Sequence, residues 1–314
     1  MTIEHDRLAV AGLPVERLIA ADLAGCLALA DDRGWPPEPE KWQLLFEVGE
    51  VFGIRDPAGG LAAAVALTRY GPGLAAIGMM LVAERHGRRG VGRALLTHVL
   101  GQAGDTVTCL FATGFGRPLY ERLGFRPAWM SARYIGPLAP GPADGDRVPV
   151  RPATAADRDG IAALDRQAFG ADRSVILGRL PQRSERFLVA PGPAPGPARP
   201  AAGEGALISG PAGRSDPAGR AIRGFAASVI QDGTLMPGPV VADDLDVATA
   251  LISGLAEGSG LPVRIEVAST HPGLARWAAG HGLTERSQTT VMTRGGALPG
   301  RPGQVFGPLN VAMG

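Results

Sequence analysis

The sequence predicts an α/β protein built from two similar halves in tandem. Three observations carry that prediction. With 314 residues, the chain is long enough for two ordinary domains. From residue 15 to 135 its segments follow the order strand, two helices, three strands, helix, strand, helix, strand. A Pro- and Gly-rich stretch, Gly136–Gly145, intervenes, and a similar order restarts at Val150. The expected division is 1–136, a linker at 137–149, and 150–314.

Val15–Ala20 reads as a strand and Ala21–Arg33 as a helix, because Leu23, Cys26, Leu27 and Ala30 recur on one helical face. Gly34–Pro39 breaks that helix, and a short second one carries Trp42, Leu45 and Phe46. Val51–Arg55, Leu61–Tyr70 and Leu74–Val82 read as strands, the first two joined by a hairpin turn at Asp56–Gly60. A helix with Val91, Leu95 and Val99 inward comes next. Thr106–Ala112 is a strand, Arg117–Leu123 a short helix, and Phe125–Ile135 a strand that closes the first half.

Leu81–Leu96 concentrates the chemistry. An apolar strand runs into a basic turn, where Gly90 and Gly92 allow close backbone approach to a ligand. The following helix directs its free N–H groups and the positive end of its dipole at that turn. Arg88, Arg89 and Arg93 crowd the same spot, where the dipole disfavours cations unless an anion is bound. The arrangement suits a phosphate.

These motifs resemble the GNAT superfamily of acyl-CoA-dependent N-acyltransferases. Its signature, Arg or Gln, two variable residues, Gly, a variable residue, then Gly or Ala, maps onto Gly87–Gly92, with Gly87 departing at the first position. Pro118–Phe125 is similar to the family's Leu-Tyr-Glu-x-Leu-Gly-Phe segment. The resemblance covers roughly 15–135. It implies two domains, each a mixed, mostly antiparallel sheet flanked by helices. It also implies acetyl transfer from acetyl-CoA directly to an amine. Leu81 and Val82 would align the pantetheine with their backbone N–H groups; Arg88, Arg89, Gly90, Val91, Gly92 and Arg93 would hold the diphosphate. Tyr120 would protonate the departing thiolate, a role that suits a phenol with an ordinary pKa of about 10.

The general base is unassigned. Glu84 and His86 read as solvated turn residues; Asp31, Asp32 and Glu266 are other candidates, and a water chain or an acceptor of low pKa would remove the need. Trp35 lies where the resemblance puts the acceptor, and both it and Trp42 also suit the core.

The second half reads as a degenerate copy. Asp243–Asp246 stands where the basic turn would be, and acidic groups repel a diphosphate. Trp277 stands in the segment equivalent to the tyrosine motif. A mobile loop is expected at about 191–220, which is crowded with Pro, Gly and Ala. The expected role of this half is to shape the acceptor pocket or the assembly.

A net charge of +1 argues against a general nucleic-acid binder or a membrane-surface tail. Cys26 and Cys109 sit in apolar surroundings and read as buried thiols. His98, His271 and His281 follow no metal-ligand spacing, so no metal is expected. The N-terminus lacks a signal-peptide core and no apolar run reaches a membrane span, so a cytoplasmic location is expected. The leading reading is an acetyl-CoA-dependent N-acetyltransferase acting on a small-molecule amine, with homo-oligomerisation left open. Protein or antibiotic acceptors, a non-catalytic acyl-CoA sensor and a structural module are the alternatives.

Overall fold

The computed structural model describes residues 12–139, 148–192 and 221–313. Most of the expected linker and of the loop expected at 191–220 lie outside these residues, as does the extreme N-terminus. The first half contains β1 (Glu16–Leu18), α1 (Leu23–Asp32), α2 (Pro39–Val48), β2 (Glu50–Arg55), β3 (Leu61–Tyr70), β4 (Leu74–Val82), α3 (Val91–Ala103), β5 (Val107–Ala112), α4 (Arg117–Arg122) and β6 (Arg126–Pro137). The second contains β7 (Arg151–Pro152), α5 (Arg158–Phe169), α6 (Ser174–Leu177), α7 (Leu180–Arg183), β8 (Arg186–Pro191), β9 (Ile222–Gln231), β10 (Thr234–Ala242), α8 (Leu245–Ala256), β11 (Pro262–Ala268), α9 (Pro272–Gly280), β12 (Thr284–Arg294) and β13 (Val305–Gly307). Sequence patterning did not anticipate α6, α7 or β13.

All strands join one mixed sheet, ordered β1-β2-β3-β4-β5-β12-β6-β11-β10-β9-β8-β7, with β13 added on β10. The order contains a reciprocal exchange. Strand β12 pairs with β5 of the first half, Thr290 opposite Ala112. Strand β6 takes its neighbours from the second half, pairing with β11 and β12. The strand expected to close the first half therefore closes the sheet between the halves. Periodicity identifies a strand; it does not identify its neighbours.

Side-chain alternation gives the sheet two buried faces. In the first half, α3 and α4 pack on one face with Leu95, Leu96, Val99 and Tyr120. Helices α1 and α2 cover the other with Cys26, Leu29, Trp42 and Leu45. Each fully buried Leu or Phe in these layers contributes roughly 1.5–3 kcal/mol by leaving water. The C-terminal segment joins the second face: Ala312 and Met313 are buried there beside Tyr70, Leu74 and Met79. The Tyr70 hydroxyl donates to the Met313 carbonyl. Among the described residues, no helix is long and apolar enough to cross a membrane.

Candidate active site

Strands β4 and β5 run parallel, but their pairing covers only Leu74–Ala76 against Val107–Cys109. Beyond Ala76 they diverge, and the edge of β4 facing β5 has no strand partner among the described residues. A bulge accompanies the divergence: the β3–β4 register shifts between Ala64 and Ala66, and Met79 takes φ 50°. A left-handed non-glycine residue costs on the order of 1 kcal/mol and marks a backbone held by its surroundings. Leu81 and Val82 follow the bulge, paired to Ala64 and Ala63 of β3.

The chain then turns through Glu84–His86 into α3. Gly90, the residue preceding α3, has φ 83°, which a side chain would strain. Arg88 is also left-handed, at φ 59°. Arg88 and Arg93 are exposed and Arg89 half-buried, and none of them enters an ion pair among the described residues. Three guanidiniums with no ion-pair partner among the described residues thus stand around the N-terminal turn of a long helix, a setting that favours an anion. Gly92 is packed close: a Cβ there would lie 3.3 Å from Met80 Cε and Val82 Cγ2 and 3.5 Å from Leu119 Cδ2. That contact joins β4, α3 and α4.

Tyr120 lies on α4 in the same core layer as Val91 and Ala112, edge-on to Phe125 at 5.9 Å. Burial pushes its phenol up to about 12, which keeps it protonated at neutral pH. Both thiols are also pushed up to about 12, Cys109 by burial and Cys26 by burial and then the Asp22 charge. Neither is an activated nucleophile.

The candidate bases occupy different settings. His86 corrects the sequence reading, because it is buried, not solvated, and its Nε2 lies 2.6 Å from Asp56 Oδ2. Arg85 joins the same carboxylate at 2.7 Å, and the Ala58 N–H donates to it at 2.8 Å. The Asp56 carboxylate thus pins the turn before α3 to the β2–β3 hairpin. Asp32 adds a second pin by accepting the Glu84 N–H at 2.6 Å, while Glu84 and Asp31 are exposed. Glu266 accepts from Arg133 at 2.7 Å and Arg264 at 3.1 Å. Trp42 is buried, and Trp35 is partly exposed near the loop where Arg33 lies over the Phe115 ring at 5.8 Å.

The Asp56 pin has a measurable consequence. Burial raises its carboxyl, but hydrogen bonds from His86, Ala58 and Arg85 outweigh that and hold it at about 2. A lowered native pKa stabilises the fold above the unfolded value near 3.9, and the contribution is lost as pH falls towards 2. Asp56→Asn is therefore expected to cost about 1–3 kcal/mol at pH 7, with the difference from wild type shrinking below pH 3. Thermal unfolding followed across pH 2–7 checks both sign and window; a deficit that grows on acidification would contradict it.

The second half meets the equivalent positions differently. Strands β10 and β11 are parallel neighbours paired at Leu235 and Val263. Their divergence is filled by the chain itself, since β13 pairs with Val240 and Val241 of β10 and lies against β11. Asp244 caps α8, accepting the Val247 N–H at 2.9 Å, and pairs with Arg223 at 2.6 Å. A carboxylate already satisfies that helix start. Trp277 stacks on His281 at 4.6 Å. Among the described residues, no group of three or more His, Cys, Asp or Glu is placed to hold a metal ion.

Comparison with known proteins agrees with this duplicated plan. Residues 47–127 and 216–307 each match a model of the acetyltransferase (GNAT) domain. The chain is 27% identical over 298 residues to the uncharacterized N-acetyltransferase YitH of Bacillus subtilis, covering 93% of this chain and 95% of that one. Its fold is similar to a putative acetyltransferase from Pyrococcus horikoshii, with TM-score 0.72, 18% identity and 96% of each chain covered. It is also similar to a tandem GNAT protein from the clavulanic acid biosynthesis pathway, with TM-score 0.59, 15% identity, and 90% of this chain and 99% of that one covered. The chain belongs to the GNAT acetyltransferases and carries two such domains in tandem.

Proposed function

We propose that the first half is the catalytic one and that it transfers an acetyl group from acetyl-CoA to the amine of a small molecule. One contrast supports this reading: the diverging end of β4 leads into a helix start with three arginines that have no ion-pair partner among the described residues, whereas its counterpart is filled by β13 and capped by Asp244. On this reading the chain has one working acyl-CoA site, and the second half is a degenerate partner.

Acetyl-CoA supplies the activated acyl group. Arg88, Arg89 and Arg93, with the N–H groups of Gly90, Val91 and Gly92, hold its diphosphate. The backbone of Leu81 and Val82 orients the pantetheine and polarises the thioester carbonyl. Tyr120 gives its proton to the departing thiolate, for which a buried, fully protonated phenol is suited. A small acceptor is supported by enclosure. On the face carrying α1 and α2, the C-terminal segment and the second half roof the sheet and leave cavities between them.

Tyr120→Phe tests the assignment. The expected result is a fall in kcat of about 10²–10⁴ with acetyl-CoA affinity unchanged by calorimetry. Full activity in the variant would remove Tyr120 from the mechanism. Tight acetyl-CoA binding by a wild type that turns over no amine would make the protein a sensor.

A further inference from the structure

We propose that the apolar cavity at the junction of the two halves receives the body of the acceptor, which is then a hydrophobic amine, and that Trp129 sets this specificity. The proposal rests on the acetyltransferase reading and narrows its acceptor. The cavity has a volume of ≈ 80 Å³, several times the ~10–15 Å³ that a single water needs.

Its floor is a row across three strands. Phe111 of β5 lies opposite Val291 of β12, and Val291 lies opposite Trp129 of β6. Cross-strand neighbours share a face, and Phe111 alternates with Leu110 of the α3 layer, so the row faces the side covered by α1 and α2. The roof is held from behind. Phe306 stacks on His271 at 4.3 Å, and His271 Nε2 lies 3.0 Å from the Val305 carbonyl oxygen. Phe169, at the end of α5, is edge-on to Tyr70 at 5.0 Å, with Arg173 Cζ 3.9 Å from its ring centroid. Walls fixed in this way resist collapse, while Phe111, Trp129 and Phe169 remain partly exposed. A preformed apolar pocket holds water poorly, and an apolar group that displaces such water gains affinity.

The lining selects the ligand class. It is apolar apart from Ser131, Thr270 and Glu266, and it includes no lysine or arginine among the described residues. Glu266 already accepts from Arg133 at 2.7 Å and from Arg264 at 3.1 Å. A carboxylate or phosphate on the ligand would therefore meet no cation, and a second ammonium only a carboxylate shared by two arginines. The apolar wall also favours the uncharged amine over the ammonium, and the uncharged form is the one that attacks. Phe111 lies beyond Cys109, the last residue of β5 paired to β4, so this end of the cavity reaches the diverging strands. A ligand with its body over Val291 and Trp129 thus presents its amine there.

The test uses the full chain, acetyl-CoA and acceptors paired by size: n-hexylamine, isoamylamine and phenethylamine against cadaverine, putrescine and histamine, which are polar at the far end. Thiol release is expected to give kcat/KM about tenfold or more higher for the apolar member of the best pair. Ala268 lines the cavity from β11. Ala268→Leu, which fills the space, is expected to raise that KM about tenfold or more, with the melting temperature kept or raised and acetyl-CoA affinity within about twofold. Trp129→Ala should raise the same KM by about the same factor, and Trp129→Phe should restore it. Equal use of both members of every pair would overturn the proposal. So would an Ala268→Leu protein with the KM of wild type, which would make the cavity a packing void. If no amine is turned over, the acetyltransferase reading has failed at its acceptor. Calorimetry with n-hexylamine and phenethylamine in saturating CoA then decides the cavity: binding lost in Ala268→Leu supports it, and no binding to wild type, or binding kept in the variant, overturns it.

Discussion

Gly78→Ala is expected to destabilise the protein by about 3 kcal/mol, at the upper end of what overpacking costs. A Cβ at Gly78 would lie 2.2 Å from the Ala312 carbonyl oxygen and 2.6 Å from Ala312 Cα. Both are backbone atoms, so no rotamer change relieves the contact. Either the β4 bulge closes or the C-terminal segment leaves, and in both cases the diverging strands lose their shape. For a chain of this size the melting temperature should fall by about 6–12 °C, with acetyl transfer lost alongside. Gly101 supplies the control. It lies within α3 with nothing within 4 Å of its Cβ position. Gly101→Ala should stabilise by about 0.5–1 kcal/mol through helix propensity. A Gly78→Ala protein that melts with wild type would show that the segment docks elsewhere in solution.

Separating the halves should have a still larger effect. A fragment of residues 1–139 keeps every residue of the proposed acyl-CoA site, yet β6 loses both of its neighbours and β5 loses β12. Two unpaired edges with apolar faces favour association over folding. The expected result is no cooperative unfolding transition and no acetyl transfer from the fragment. Co-expression with residues 148–314 should restore both, and the full chain should unfold in one transition. A soluble, cooperatively folded 1–139 fragment with activity would show that the exchange is dispensable.

What the sequence disclosed depended on the physics involved. Helix faces and turn glycines are local. The face carrying Leu23, Cys26, Leu27 and Ala30 was readable, and so was the glycine turn before α3, because periodicity and φ preference act over a few residues. The Pro118–Phe125 segment was readable as a motif, and the structure sets it beside Gly92 through Leu119. The start of β10 at Thr234 is hidden in the sequence because Pro237 and Pro239 read as breakers, whereas a register shift between Pro237 and Val240 accommodates them. His86 resembled a turn residue because its partner, Asp56, is distant in sequence. Ala312 and Met313 carry no periodic signal; their place is set by Gly78 and Tyr70.

The exchanged strands also constrain how the chain comes to be folded. Val107–Ala112 emerges from the ribosome long before its neighbour Thr284–Arg294, and almost the whole second half is made in between. Arg126–Pro137 waits for two partners that are synthesised later. Contacts between residues so far apart in sequence slow folding, and each waiting strand presents an open edge in the meantime. The half proposed to be catalytic can therefore complete its sheet only after synthesis has passed residue 294, which ties its maturation to the half proposed to have no site of its own.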